Sequence, residues 1–171
     1  IELKANYPEA YNNLGNAFKE LGEIDKAIEY YKNVLYLNPN LAEVHNNLGS
    51  LLQEKGELIT ARNCFERSLT LKHNSPEVNY NLGNVLQEIG ELKESIACYK
   101  KALQLRENYP EAYKNLASAQ LLSGDFDSGW KNYEWRFKSK EAAIPHAQPK
   151  IPLWKGEKLK KGETLLVISE Q

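Results

Sequence analysis

The chain has 171 residues and a nearly balanced charge, 22 Lys and Arg against 23 Asp and Glu. That balance speaks against a nucleic-acid or anionic-membrane partner, both of which select strongly basic surfaces. No apolar run approaches the ~20 residues of a membrane helix, and two cysteines with three scattered histidines, His45, His73 and His146, make no metal-ligand pattern.

What organises the chain is a period of 34 residues. Pro8-Glu9-Ala10-Tyr11, Ala42-Glu43-Val44-His45, Pro76-Glu77-Val78-Asn79 and Pro110-Glu111-Ala112-Tyr113 open four copies of one unit, spanning 8–41, 42–75, 76–109 and 110–139. A fixed period of this length implies stacked small units with a long exposed surface. The stretch Ile1 to Tyr7 aligns with Leu35 to Leu41 and reads as the end of a preceding repeat helix.

Each unit predicts two helices. In the first unit they cover about Glu9–Leu21 and Asp25–Asn38. Ala10, Leu14, Ala17, Phe18 and Leu21 form one apolar stripe, and Ala27, Ile28, Tyr31, Val34, Leu35 and Leu37 the other. Pro8 suits a first helical turn, Glu9 faces the positive end of the helix dipole, and Gly22 supplies the left-handed stop. The later units predict helices over 43–55, 59–72, 77–89, 93–106, 111–122 and 126–138. Small residues recur where paired helices must approach: Gly15, Gly49, Gly83 and Ala117 in the first helices, Ala27, Ala61, Ser95 and Gly129 in the second. Since an internal glycine costs about 1 kcal/mol against alanine, three of them imply backbone contact. Cys64 and Cys98 lie one period apart, too distant for a disulfide. Two half-buried free thiols are expected, consistent with a reducing cytoplasm.

The fourth unit departs from the plan. Gln120 stands where Phe18, Leu52 and Leu86 stand, and its second helix carries Phe126, Trp130, Tyr133, Trp135 and Phe137. Atypical end units cap such stacks; an aromatic ligand cage is the alternative. Beyond Ser139, Pro145, Pro149 and Pro152 imply an extended connector. Thr164-Leu165-Leu166-Val167-Ile168 reads as a buried strand, the start of a further domain.

Counted from each opening residue, the sixth place is Asn13, Asn47, Asn81 and Asn115. The ninth is Asn16, Ser50, Asn84 and Ser118, and the fifth is Asn12, Asn46, Tyr80 and Lys114. Asparagine is a poor helix former, so four in register on one face need a reason. An amide that both donates and accepts could hold the main chain of an extended peptide without reading its sequence. Equally, these amides could bond between helices and stabilise the stack. Glu9, Glu43, Glu77 and Glu111 also align. They suit helix N-termini and, with Glu20, Glu54 and Glu88, would make the groove acidic despite Lys19 and Lys114, favouring neutral or basic peptides. No Ser/His/Asp or Cys/His set, phosphate-binding glycine loop or metal cluster is present, so neither catalysis nor a cofactor is expected.

The repeated leucine, glycine, alanine, aromatic and proline places resemble the tetratricopeptide repeat over residues 1 to about 139. The resemblance implies an all-α fold: antiparallel helix pairs stacked into a right-handed superhelix, with the first helices lining the concave face. The asparagine ladder resembles that of the O-linked N-acetylglucosamine transferase superhelix, whose asparagines contact substrate backbone. By that resemblance Asn13, Asn47, Asn81 and Asn115 are ligand contacts, joined by Asn12, Asn16, Asn46, Tyr80, Asn84 and Lys114. The carboxylate clamp that some of these repeats use on chaperone tails is not matched. Asn16 and Asn47 fit it, but its cationic places hold Asn12, Glu77 and Asn81. Trp130, Tyr133-Glu134-Trp135-Arg136, Pro152-Leu153-Trp154-Lys155-Gly156-Glu157 and Gly162-Glu163-Thr164-Leu165-Leu166-Val167 resemble bacterial proteins in which such repeats precede a glycosyltransferase-like domain. The expected role is capture of a protein or peptide segment for a larger, glycosyltransferase-like protein. A purely architectural spacer is the alternative, and the open ends of the stack predict self-association.

Overall fold

The structure, a computed structural model, describes residues 8–135. The expectations for residues 1–7, for the last helix beyond Trp135 and for the connector and strand lie outside them. The described residues form eight helices: α1 (Pro8–Glu20), α2 (Ile24–Leu37), α3 (Ala42–Glu54), α4 (Leu58–Leu71), α5 (Pro76–Ile89), α6 (Leu92–Leu105), α7 (Pro110–Leu122) and α8 (Phe126–Tyr133). Through α7 the bounds agree with the predicted ones to within one residue. The described part of the last helix stops at Tyr133, earlier than expected.

Turn chemistry sets those ends. Gly22, Gly56, Gly90 and Gly124 follow the first helices with φ of +75°, +77°, +93° and +86°. This left-handed step lets the next amide reach back into the last helical turn. Glu23 N–H bonds Phe18 C=O at 2.9 Å, and Glu57, Glu91 and Asp125 bond Leu52, Leu86 and Gln120 at 2.8, 2.8 and 2.9 Å. The loops are so short that paired helices lie antiparallel.

Within each pair a second-helix ring presses on a first-helix glycine. A Cβ at Gly15, Gly49 or Gly83 would lie 2.7, 2.9 or 2.6 Å from the ring of Tyr31, Phe65 or Tyr99. Those rings are fully buried, so the three glycines are required by contact. Between pairs, α2 packs on α3, α4 on α5 and α6 on α7. The first helices also touch each other, α3 with α5 and α5 with α7, more closely than any second helix touches the next second helix. The repeat resemblance implies that the first helices line the inner face of such a stack.

The apolar edge at the start of the stack is poorly covered, as the open end leads one to expect. Val44, Leu48, Leu51 and Leu52 of α3, and Val78, Leu82, Val85 and Leu86 of α5, are buried. Their counterparts in α1 are not: Ala10 and Ala17 are exposed and Leu14 is 42% exposed, while the neighbouring Leu21 is 73% exposed. In α3 and α5 this stripe is covered by the preceding second helix. No helix precedes α1 among the described residues, so its stripe faces outward. Gln120, in a leucine place, is buried; Asn132 Nδ2 donates to its Oε1 at 2.7 Å and its Nε2 reaches Asp125 Oδ2 at 3.5 Å.

Candidate functional site: an amide ladder on the inner face

Helical spacing sets places five, six and nine of each first helix side by side. The units stack with little offset, so place six of one unit meets places five and nine of the unit before it. Asn81 Nδ2 donates to Asn46 Oδ1 at 3.2 Å, and Asn115 Nδ2 to Tyr80 Oη at 3.1 Å and Asn84 Oδ1 at 2.8 Å. Asn46, Asn47, Asn81 and Asn115 are half-buried. Asn13 and Lys114 are exposed and have no hydrogen-bond partner among the described residues. The ladder thus knits neighbouring units together, which is the structural alternative posed by the sequence. An amide carries two donors and an acceptor with two lone pairs, and the internal bonds occupy only part of that capacity.

Two residues outside the predicted set complete the network. Tyr31 Oη donates to Asn16 Oδ1 at 2.6 Å, and Tyr99 Oη to Asn84 Oδ1 at 2.8 Å, with Gln87 Oε1 at 3.0 Å. Burial pushes both phenols up in pKa, opposed by polar side chains nearby, Asn47 at Tyr31 and Ser95 and Asn115 at Tyr99. In the third unit the link therefore runs from Tyr99 of α6 through Asn84 at place nine to Asn115 at place six of the fourth. The second unit has Phe65 in the tyrosine place and Ser50 at place nine, whose Oγ donates to Asn46 C=O at 3.1 Å. The pairing of Tyr with Asn in the first and third units and of Phe with Ser in the second was visible in the sequence, though the fourth sets Tyr133 against Ser118. It goes unread while the aromatic is counted only as core.

Around the ladder the acidic residues differ in circumstance. Arg106 bonds Glu77, Gln53 Nε2 donates to Glu88, and Glu9, Glu20, Glu43 and Glu54 have no ionic partner among the described residues. The Glu77 carboxyl is held below its usual range, mainly by its own backbone N–H at the helix start and further by Arg106. Towards the fourth unit the wall becomes aromatic: Tyr80 lies 5.1 Å from Tyr109, and Tyr113 stacks on Trp135 at 4.0 Å. Cys64 and Cys98 are free and half-buried, as expected, and burial raises Cys98 to about 11. No group of His, Cys, Asp and Glu among the described residues could hold a metal. None of the described helices is long and apolar enough to cross a membrane.

Known proteins agree with this architecture. Profiles of the tetratricopeptide repeat match residues 8–41 and 30–63, and a TPR repeat profile matches 88–124. A crystal structure of MamA superposes with a TM-score of 0.75 at 26% identity, covering 77% of each chain. MamA 41-end from Desulfovibrio magneticus RS-1 gives a TM-score of 0.72 at 21% identity over 75% of this chain and 73% of that one. YrrB, a TPR protein with an unusual peptide-binding site, gives 0.73 at 22% identity over 82% and 72%. No curated protein matches the sequence. The repeating units of this chain are tetratricopeptide repeats, stacked as a solenoid.

Proposed function

We propose that the chain is a protein–protein interaction module that holds an extended protein segment along its inner face, on the amides of Asn13, Asn47, Asn81 and Asn115. Asn12, Asn16, Asn46, Tyr80, Asn84 and Lys114 flank that line. The observation that carries this reading is the internal bonding of Asn81 and Asn115. Amides pinned in this way lose little rotamer freedom when a ligand arrives, which lowers the cost of binding. Their remaining donors and acceptors suit peptide N–H and C=O groups. That a structurally similar protein, YrrB, has a peptide-binding site supports the same use of the fold.

The test is binding of an extended-peptide array to the wild type and to Asn13→Ala. Asn13 is exposed and bonds nothing in the described stack, so its loss weakens peptide binding without changing the melting temperature. Equal binding by both proteins, with the Asn47→Ala/Asn81→Ala/Asn115→Ala variant also binding equally while folded, would leave the ladder a purely structural device. We further propose, on the resemblance of the tail from Trp130 to Gln171, that the module serves a larger, glycosyltransferase-like protein.

A second reading rests on the ends of the stack. Leu14 and Leu21 at one end, and Phe126 and Trp130 at the other, are 42%, 73%, 60% and 59% exposed. Exposed apolar surface of this kind favours self-association. Sedimentation then shows a mass that rises with concentration; a monomer throughout would remove this reading.

A further inference from the structure

The repeat supplies its own internal comparison. In the third unit, place two is Glu77, place five Tyr80, place thirty-one Arg106 and place thirty-four Tyr109. These four form one assembly: Arg106 bonds the Glu77 carboxylate, its guanidinium lies 5.0 Å from the Tyr109 ring, and Tyr109 packs on Tyr80. In the first unit the same places hold Glu9, Asn12, Asn38 and Leu41. The carboxylate is kept, but the guanidinium and both rings are gone. A cleft lies there between the first and second units, lined by Glu9, Asn12, Asn38, Asn40, Leu41 and Glu43.

At that cleft the two carboxylates are unpaired among the described residues, and one amide oxygen nearby lacks a donor. Asn12 Oδ1 is buried without a hydrogen-bond partner. Its counterparts in later units, Asn46 Oδ1 and Tyr80 Oη, accept from Asn81 and Asn115. Neither Glu9 nor Glu43 has an ionic partner among the described residues, and the Asn40 amide oxygen is taken by Arg67. The Asn12 oxygen is closed off from solvent as it stands, so the accessible acceptor is the Glu9 carboxylate, which holds the place of Glu77. A carboxylate with two acceptor oxygens is matched by a group with several donors in one plane, which a guanidinium has and an ammonium lacks.

We infer that this cleft is a side-chain subsite for an arginine of the bound segment, which takes in trans the place that Arg106 fills in cis two units later. The inference rests on the peptide-binding reading for its biological occupant, but its chemistry can be tested without it. The probe is N-acetyl-arginine methylamide, with the isosteric, uncharged N-acetyl-citrulline methylamide as control, titrated into isotopically labelled protein and followed by NMR. The arginine derivative is expected to shift the Asn12 side-chain amide and the Glu9 and Glu43 backbone signals, and the citrulline derivative to leave them in place. Glu9 is exposed, so Glu9→Gln keeps the fold and weakens the response about tenfold, the scale of one charge-assisted hydrogen bond. Glu54→Gln, which removes another unpaired acid of the first helices outside the cleft, leaves it unchanged. Filling the cleft from within by Asn12→Tyr/Asn38→Arg/Leu41→Tyr abolishes it. Equal shifts with both probes, or an arginine response that survives Glu9→Gln, would overturn the subsite. A peptide without arginine that still binds the groove shows that the ladder reading stands when the subsite falls. An arginine response in a protein that binds no peptide shows the reverse.

Discussion

At the scale of single residues, the contact between glycine and aromatic ring is the most demanding feature. An alanine at Gly83 would place its Cβ 2.6 Å from a Tyr99 ring that has no room to retreat. Gly83→Ala is expected to destabilise by about 1–3 kcal/mol, the range of overpacked cores, as read by urea unfolding. Tyr99→Phe removes a hydroxyl donor from Asn84 and Gln87 and costs about 1 kcal/mol. Because Asn115 shares Asn84, a double-mutant cycle with Asn115→Ala shows coupling between the third and fourth units. The glycine places were legible in the sequence because a mid-helix glycine is costly, and three in register make sense only where a neighbour leaves no space for a side chain. The hydroxyl links were not, because a tyrosine in an apolar stripe reads the same whether or not its oxygen is bonded. For Asn12, what the sequence hid is its missing donor: all four units carry the place-six asparagine, but the Asn12 oxygen stays unpaired.

Helix ends and stripes make up the next scale. A Cβ added to any of the left-handed glycines would meet nothing within 4 Å, so their requirement lies wholly in the backbone. Gly56→Ala therefore costs about 1–2 kcal/mol from the left-handed conformation alone, less than an alanine forced against a ring. Thermal unfolding of Gly56→Ala beside Gly49→Ala separates the two effects. Periodicity fixed seven of the eight helices to within a residue, since each is bounded by Gly or by a Pro or acidic start. It does not by itself decide burial: in α1 the apolar stripe is present but nothing described lies over it. Pattern reports which face an element would bury, and only a neighbour decides whether it does.

For the whole molecule, stability should fall on the alkaline side. Burial raises Cys98 from 9.0 to about 11 and Tyr109 from 10.0 to about 12. A raised pKa means the folded state holds its proton longer than the unfolded chain. Its stabilisation is complete below the unfolded value and is lost as pH climbs to the folded one. Denaturant midpoints are expected to hold to about pH 9, decline between pH 9 and 11 as Cys98 is lost, and continue downward to about pH 12 with Tyr109. Cys64 is raised from 9.0 as well, so Cys64→Ala/Cys98→Ala moves the onset of the decline up by about one pH unit, to where the tyrosines begin; an unchanged onset in the double variant would show that the thiols play no part. For the same reason both cysteines react slowly with thiol reagents until the stack opens.

The contacts between α3, α5 and α7 run along one side only. Under tension, such a coil yields by tilting each hairpin about that inner seam, with the core of every hairpin left intact. A protein segment held on the inner face as proposed would thus load the amide bonds shared between units before it loads the core of any hairpin.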